Sequence, residues 1–256
     1  MIHAIDWNLM LGCKIGQIHI YLETSFLSQY QANPWFRHLE VAYHIFAYLK
    51  KHLDMGELLF DSHGPDIDES FFYPNADWMD FYGDVIKELP PNMLELWGHP
   101  VIISVFVDAN HATSNIITRC SHTGIFIFVK NALIIWFSKK QNTVEVATFG
   151  SEFVALQVCK ETIVAIWYKP WMFGVPIEGP ANVFCDNCGV MKNVSIPKLT
   201  LMKKHNAINY HAVWESVAAG ILWVGKEDHG EANLADLLMK VLTGKKQWNI
   251  CWHIMW

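Results

Sequence analysis

The sequence predicts an α/β protein: a five-stranded unit after residue 100, behind a smaller, mainly helical and irregular N-terminal segment. Two observations carry this. Beyond residue 100 the apolar runs follow one another in a βββαβααβα pattern, while before it residues 33–51 read as a helix. Residues 54–100 are rich in Asp, Pro, Gly and aromatics without any period, which places a break near residue 100.

Taken in order, "NPWFRHLEVAYHIFAYLKK" (33–51) reads as a helix. Asn33 can cap it and Pro34 suits its first turn. Leu39, Ala42 and Phe46 recur at helical spacing and are expected to pack inward, and Lys50 and Lys51 suit the negative end of the dipole. "VIISVFVDAN" (101–110) is an apolar run ending in an acid. "HTGIFIFVK" (122–130) and "ALIIWFSKK" (132–140) are strands joined by a short turn at Lys130 and Asn131. "SEFVALQVCKETIVAIWYKPWMFG" (151–174) is a long helix, ended or kinked near Pro170. "ANVFCD" (181–186) is a fourth strand and residues 204–219 a helix. "ILWVG" (221–225) is a fifth strand, and "NLADLLMKVL" (233–242) a last helix capped by Asn233.

Composition bounds the chemistry. The 256 residues are 52% hydrophobic and 17% charged, yet no apolar run reaches the roughly 18 residues a membrane helix needs. The first residues lack a basic stretch followed by a signal-length apolar core, so no secretory leader is expected. Six scattered cysteines suit an intracellular chain, cytoplasmic or nuclear, with reduced thiols. The net charge of −6 divides into −9 over residues 1–100 and +3 over 101–256, so a polyanion would meet the second part.

Four acids fall at the ends of these elements. Asp108 closes the first strand, Glu152 opens the long helix, Asp186 closes the fourth strand and Asp236 lies in the first turn of the last helix. Ligand sites form outside strand ends in such folds. Convergent carboxylates repel one another unless cations neutralise them, and oxygen-only ligation with retained waters suits Mg²⁺. Two such ions about 4 Å apart can activate a water and stabilise the leaving oxygen of a phosphodiester. Asp186 also sits inside a C-x-x-C pair, Cys185 and Cys188. A zinc site there would need two further ligands, and His205 and His211 have a loose spacing for that role.

The ordered motifs resemble the ribonuclease H region of copia-type retrotransposon polyproteins. "SVFVDANHA", "TRCSHTGIFIFVKNALIIWFSKKQNTV", "ATFGSEFVAL", "VFCDNCGV", "KKHNAINYHAVWE" and "NLADLLMKVL" are similar, in this order, to that family's motifs, over about residues 101–243. The N-terminal stretch "QIHIYLETSFLSQY…RHLEVAYHIFAYLKKH" resembles the tail of its reverse transcriptase, without the Tyr-Val-Asp-Asp polymerase motif. The resemblance implies a ribonuclease H-like mixed five-stranded sheet flanked by helices. It divides the chain into a reverse transcriptase remnant (1–58), an irregular connection (59–100), the ribonuclease H-like domain (101–243) and a C-terminal tail (244–256).

It also implies cleavage of the RNA strand of an RNA–DNA hybrid with two Mg²⁺ ions, for which Mn²⁺ can substitute, and no small-molecule cofactor, membrane or polymerase activity. Asp108 and Asp186 would be shared metal ligands, with Glu152 on one ion and Asp236 on the other. His229 would assist product release, and Lys139, Lys140, Lys203 and Lys204 would touch phosphates. Asp186 is thereby the functional group of its segment, and Cys185 a small buried strand residue.

The sequence departs from the family where arginines are expected. Cys120, Asn209 and Trp214 stand at such positions. Only Arg37 and Arg119 remain, beside 12 Trp and 13 His, as expected if CG-initial arginine codons have decayed by cytosine deamination. The tail "KKQWNICWHIMW" reads as a basic helix so altered. Two readings follow: a hybrid-specific nuclease, or an inactive relic that is at most a nucleic-acid-binding module.

Overall fold

The computed structural model describes residues 2–52, 69–72, 76–85, 91–111, 119–197, 207–226 and 233–254. Its centre is a mixed five-stranded sheet. The strands are β1 (Ile103–Asn110), β2 (His122–Val129), β3 (Ala132–Lys140), β4 (Ala181–Cys185) and β5 (Leu222–Lys226). Their order is β3-β2-β1-β4-β5, with β1 antiparallel to β2 and parallel to β4. The hairpin turns at Lys130, which takes a positive φ of 55°.

Alternation along β1 divides the core into two layers. Ile103, Val105, Val107 and Ala109 face α5 (Thr148–Met172), α6 (Cys188–Ser195) and α7 (Ala207–Ala218). Phe106, with Phe126, Phe128 and Phe184 of the neighbouring strands, faces the other way. That aromatic face is covered by Phe72, by a turn at Leu234–Leu238 and by α1 (Ile2–Lys14), α2 (Tyr21–Ser28), α3 (Phe36–Lys51) and α8 (Gly244–Ile254). Both ends of the chain therefore share one layer, and Gln247 Nε2 of α8 donates to the carbonyl of His19 at 3.0 Å. Between α3 and β1, the described residues hold only a 3₁₀ turn at Glu69–Phe71 and α4 (Met79–Tyr82).

The strands start and end within two residues of expectation. The helices differ more. α3 begins at Phe36 rather than near Asn33. Its first turn is closed by His38, whose Nδ1 accepts from the Trp35 amide at 2.9 Å. It buries Ala42 and Ile45, while Phe46 is 40% exposed, so the inward face is turned one residue from the expected one. α5 runs through Pro170 to Met172. It ends because Gly174 takes a φ of 73° and approaches Glu95 so closely that a Cβ there would lie 2.9 Å from the Glu95 carbonyl. The expected helix over 233–242 is a 3₁₀ turn, Leu234–Leu238, and the expected tail is α8.

Candidate metal centre

Three elements bring acids to one edge of the sheet. β1 and β4 pair in parallel with Phe106 opposite Phe184, so that register carries Asp186, just past β4, to the level of Asp108. α5 packs on β1 and presents Glu152 from its second turn. One carboxylate oxygen from each of Asp108, Glu152 and Asp186 lies within 4.8 Å of the other two. Asp108 and Glu152 are buried and Asp186 is exposed. The turn after β4 is fixed by Asn187, whose Oδ1 accepts from the amides of Gly189 and Val190 and so caps α6.

The Leu234–Leu238 turn completes the edge. Asn233 caps it through the Ala235 amide and donates to the Val107 carbonyl, and Asn110 Nδ2 donates to the Met239 carbonyl at 2.8 Å. Gly124 of β2, directly opposite Asp108, lets the turn lie flat on the sheet. A Cβ at residue 124 would stand 2.7 Å from the Ala235 carbonyl oxygen and 3.0 Å from Leu238 Cβ. Asp236, buried, thereby faces Asp108 across a lysine. Lys240 Nζ lies 2.6 Å from Asp236 Oδ1 and 2.9 Å from Asp108 Oδ2. Lys246 Nζ approaches the outer oxygen of Asp236 at 3.3 Å.

The electrostatics show what this arrangement lacks. Burial, then repulsion from Asp186, pushes the Asp108 carboxyl up to about 7 against the pull of Lys240. Burial, with repulsion from Asp186 and Asp108, pushes Glu152 up to about 7 as well. Glu152 Oε2 is buried without a hydrogen-bond partner. Burial works against the charge on Lys240, but Asp108 and Asp236 more than offset it and its pKa is raised. A cluster of carboxylates with an orphaned buried oxygen fits a hard divalent cation, whose charge would relieve both the repulsion and the missing partner.

Of the remaining sequence-derived candidates, Lys139 is exposed and Lys140 half-buried at the end of β3. Their register partners Thr123 and His122 lie across from Ala109 and Asn110, which puts the lysines at the acids' end of the sheet. Lys203, Lys204 and His229 lie outside the described residues, as does His205. Cys185 is buried in β4 and Cys188 exposed, and neither joins a metal-ligating group among the described residues. Trp214 is no lost phosphate contact. It is 4% exposed, packs among Trp78, Tyr210 and His211, and donates its indole N–H to the Asn193 carbonyl at 2.8 Å. Sequence reasoning gave no role to Lys240, although it stands four residues after Asp236, one helical turn along the same motif.

No protein-family model matches the chain. Over 123 residues, 48% of the chain, it is 27% identical to the retrovirus-related Pol polyprotein from transposon RE2 of Arabidopsis thaliana. It is 28% identical over 123 residues to that from transposon RE1 of the same plant. The matched part spans only 8% of the length of either relative. Among solved structures, the N-terminal ribonuclease H domain of a Mycobacterium tuberculosis protein aligns at a TM-score of 0.41 with 10% identity, covering 59% of this chain and 97% of that one. The foamy viral protease–reverse transcriptase in complex with double-stranded DNA aligns at 0.37 with 16% identity, covering 57% and 96%. The chain is thus a five-stranded mixed sheet of order β3-β2-β1-β4-β5 with helices on both faces, distantly similar over about half of its length to the retrovirus-related Pol polyproteins of these transposons.

Proposed function

We propose that the chain is the ribonuclease H part of a retroelement polyprotein and hydrolyses the RNA strand of RNA–DNA hybrids. The observation that supports this most is the convergence of Asp108, Glu152 and Asp186 within 4.8 Å around an orphaned Glu152 oxygen. An all-oxygen donor set of this kind selects Mg²⁺ or Mn²⁺ over softer metals. Asp108, Glu152 and Asp186 are the residues that would hold the ion, and Asp236 lies beyond them, paired with Lys240 and Lys246. Bound there, divalent ions supply a water activated at neutral pH and positive charge for the departing 3′ oxygen.

The chain's own residues do the rest. Asp186, exposed at the rim, is the acid a phosphate backbone meets first. Lys139 and Lys140 lie at the same end of the sheet, where they would neutralise flanking phosphates. A hybrid is read through its wide minor groove and 2′-hydroxyls rather than by sequence. Residues 1–58 are proposed to be a remnant of a reverse transcriptase and 59–100 a connection. No polymerase activity is expected, because the sequence has no Tyr-x-Asp-Asp pair. Among the described residues no helix is long and apolar enough to cross a membrane.

A relic reading is favoured by one observation: Cys120 and Asn209, both half-buried, stand where the family resemblance expects phosphate-binding arginines. A gel assay of the full chain on a labelled RNA–DNA hybrid with Mg²⁺ or Mn²⁺ separates the two. Cleavage of the RNA strand that disappears in Asp186→Asn supports the nuclease. Hybrid binding without cleavage leaves a binding module, and neither leaves a relic.

A further inference from the structure

Lys240 lies between Asp108 and Asp236 as a bridging cation would. Its Nζ contacts one oxygen of each carboxylate, at 2.9 and 2.6 Å. The two carboxylate oxygens are therefore no farther apart than the sum of those distances, close enough for one cation to serve both. The other three-acid group is differently provided. Glu152 Oε2 has no partner, and no lysine among the described residues stands in an ion pair with Glu152 or Asp186. One half of the acidic edge is already neutralised from within, and the other half is open.

We infer that Lys240 is a built-in competitor for the second metal ion, so that the resting chain takes one divalent ion at Asp108, Glu152 and Asp186, and a second binds at Asp108 and Asp236 only by displacing the ammonium group. This rests on reading the three carboxylates as a metal site. Displacement is feasible because the Lys240 side chain is 38% exposed and has solvent to move into, whereas Asp108 and Asp236 are fixed and buried. Lys246 touches only the outer oxygen of Asp236 and does not stand between the two acids. An ammonium and a divalent ion cannot share one bridging position, because their charges repel at that separation. Metal occupancy is thus ordered by the chain itself, and the lysine sets the concentration at which the second ion enters.

The test is a Mn²⁺ titration of the full chain without nucleic acid, with bound ions counted by electron paramagnetic resonance and heats by calorimetry. Wild type should show one tight ion and a distinctly weaker second. Lys240→Met should tighten the second ion by at least about tenfold and by more than it tightens the first, and Lys240→Arg, which keeps the charge, should retain the wild-type pattern. Should Lys240→Met lose its circular dichroism spectrum, Asp236→Asn decides: the first ion should bind as in wild type and the second should be lost. Two equally tight ions in wild type, an unaltered second ion in a folded Lys240→Met, or loss of the first ion in Asp236→Asn would each overturn the inference. Failure of wild type to bind any ion would instead overturn the metal-site reading on which it rests.

Discussion

Buried titratable groups carry the sharpest consequences for single residues. Glu152 is held at a cost, because its carboxyl is pushed up to about 7 by burial and by Asp186 and Asp108. In the metal-free protein, Glu152→Gln should raise stability near pH 8 by about 1–3 kcal/mol, read from urea unfolding in EDTA, while abolishing any hybrid cleavage. A stability loss instead would mean that Glu152 is a packing residue. His19 is the opposite case. It is 2% exposed, both ring nitrogens lack partners, and burial, reinforced by His52, lowers it to about 4. The unfolded chain, with an ordinary histidine near 6.5, binds more protons than the folded one between these values, so stability falls as pH falls from about 6.5 to 4. Relative to His19→Leu, wild type should lose a few kcal/mol across that window. A constant difference between the two proteins would show that His19 takes up its proton alike in the folded and unfolded states.

At the scale of elements, the Leu234–Leu238 turn decides whether Asp236 reaches the site. It lies on β2 only because residue 124 has no side chain. Gly124→Ala should push the turn outward, destabilise the protein by about 1–3 kcal/mol and cut cleavage far more than Mn²⁺ binding at Asp108, Glu152 and Asp186. Equal losses of both would indicate a general collapse. This turn also shows where the sequence stops being legible. The strands could be read because buried strands are continuous apolar runs, and the acids because they close those runs. The helical spacing of 233–242 was real, but Asn233, Asn110 and Gly124 tie the segment to the sheet, and those long-range contacts hold it as a 3₁₀ turn. Trp214 was misplaced for a similar reason. As a residue standing for a decayed arginine it belonged outside, yet α7 packs it in the core. Restoring an arginine there should cost at least about 3 kcal/mol, as a drop in urea midpoint. Arginine at Cys120 and Asn209 together should leave stability nearly unchanged and steepen the salt dependence of hybrid binding by roughly one unit of slope per true phosphate contact.

The whole molecule is built around an aromatic face of the sheet that the two ends of the chain help to close. Phe106, Phe126, Phe128 and Phe184 point away from α5; Phe72 and the Leu234–Leu238 turn cover part of them, and the two ends of the chain close the rest, with Leu9, Cys13, Ile18, Ala42 and Ile45 on one side and Ile250, Cys251 and Ile254 on the other. At about 1.5–3 kcal/mol for each fully buried large apolar side chain, even half-uncovering four phenylalanines forfeits roughly 3–6 kcal/mol, a large share of the about 5–15 kcal/mol that an ordinary domain has in all. The N-terminal segment and α8 are therefore structural necessities. A fragment of residues 101–243, the boundaries that the motifs suggest, should be insoluble or bind a hydrophobic dye strongly. The full chain should unfold in one transition, with tryptophan fluorescence and far-ultraviolet circular dichroism coinciding. A 101–243 fragment that stays monomeric, folded and dye-free would refute this, and would show that the aromatic face tolerates water without its cover.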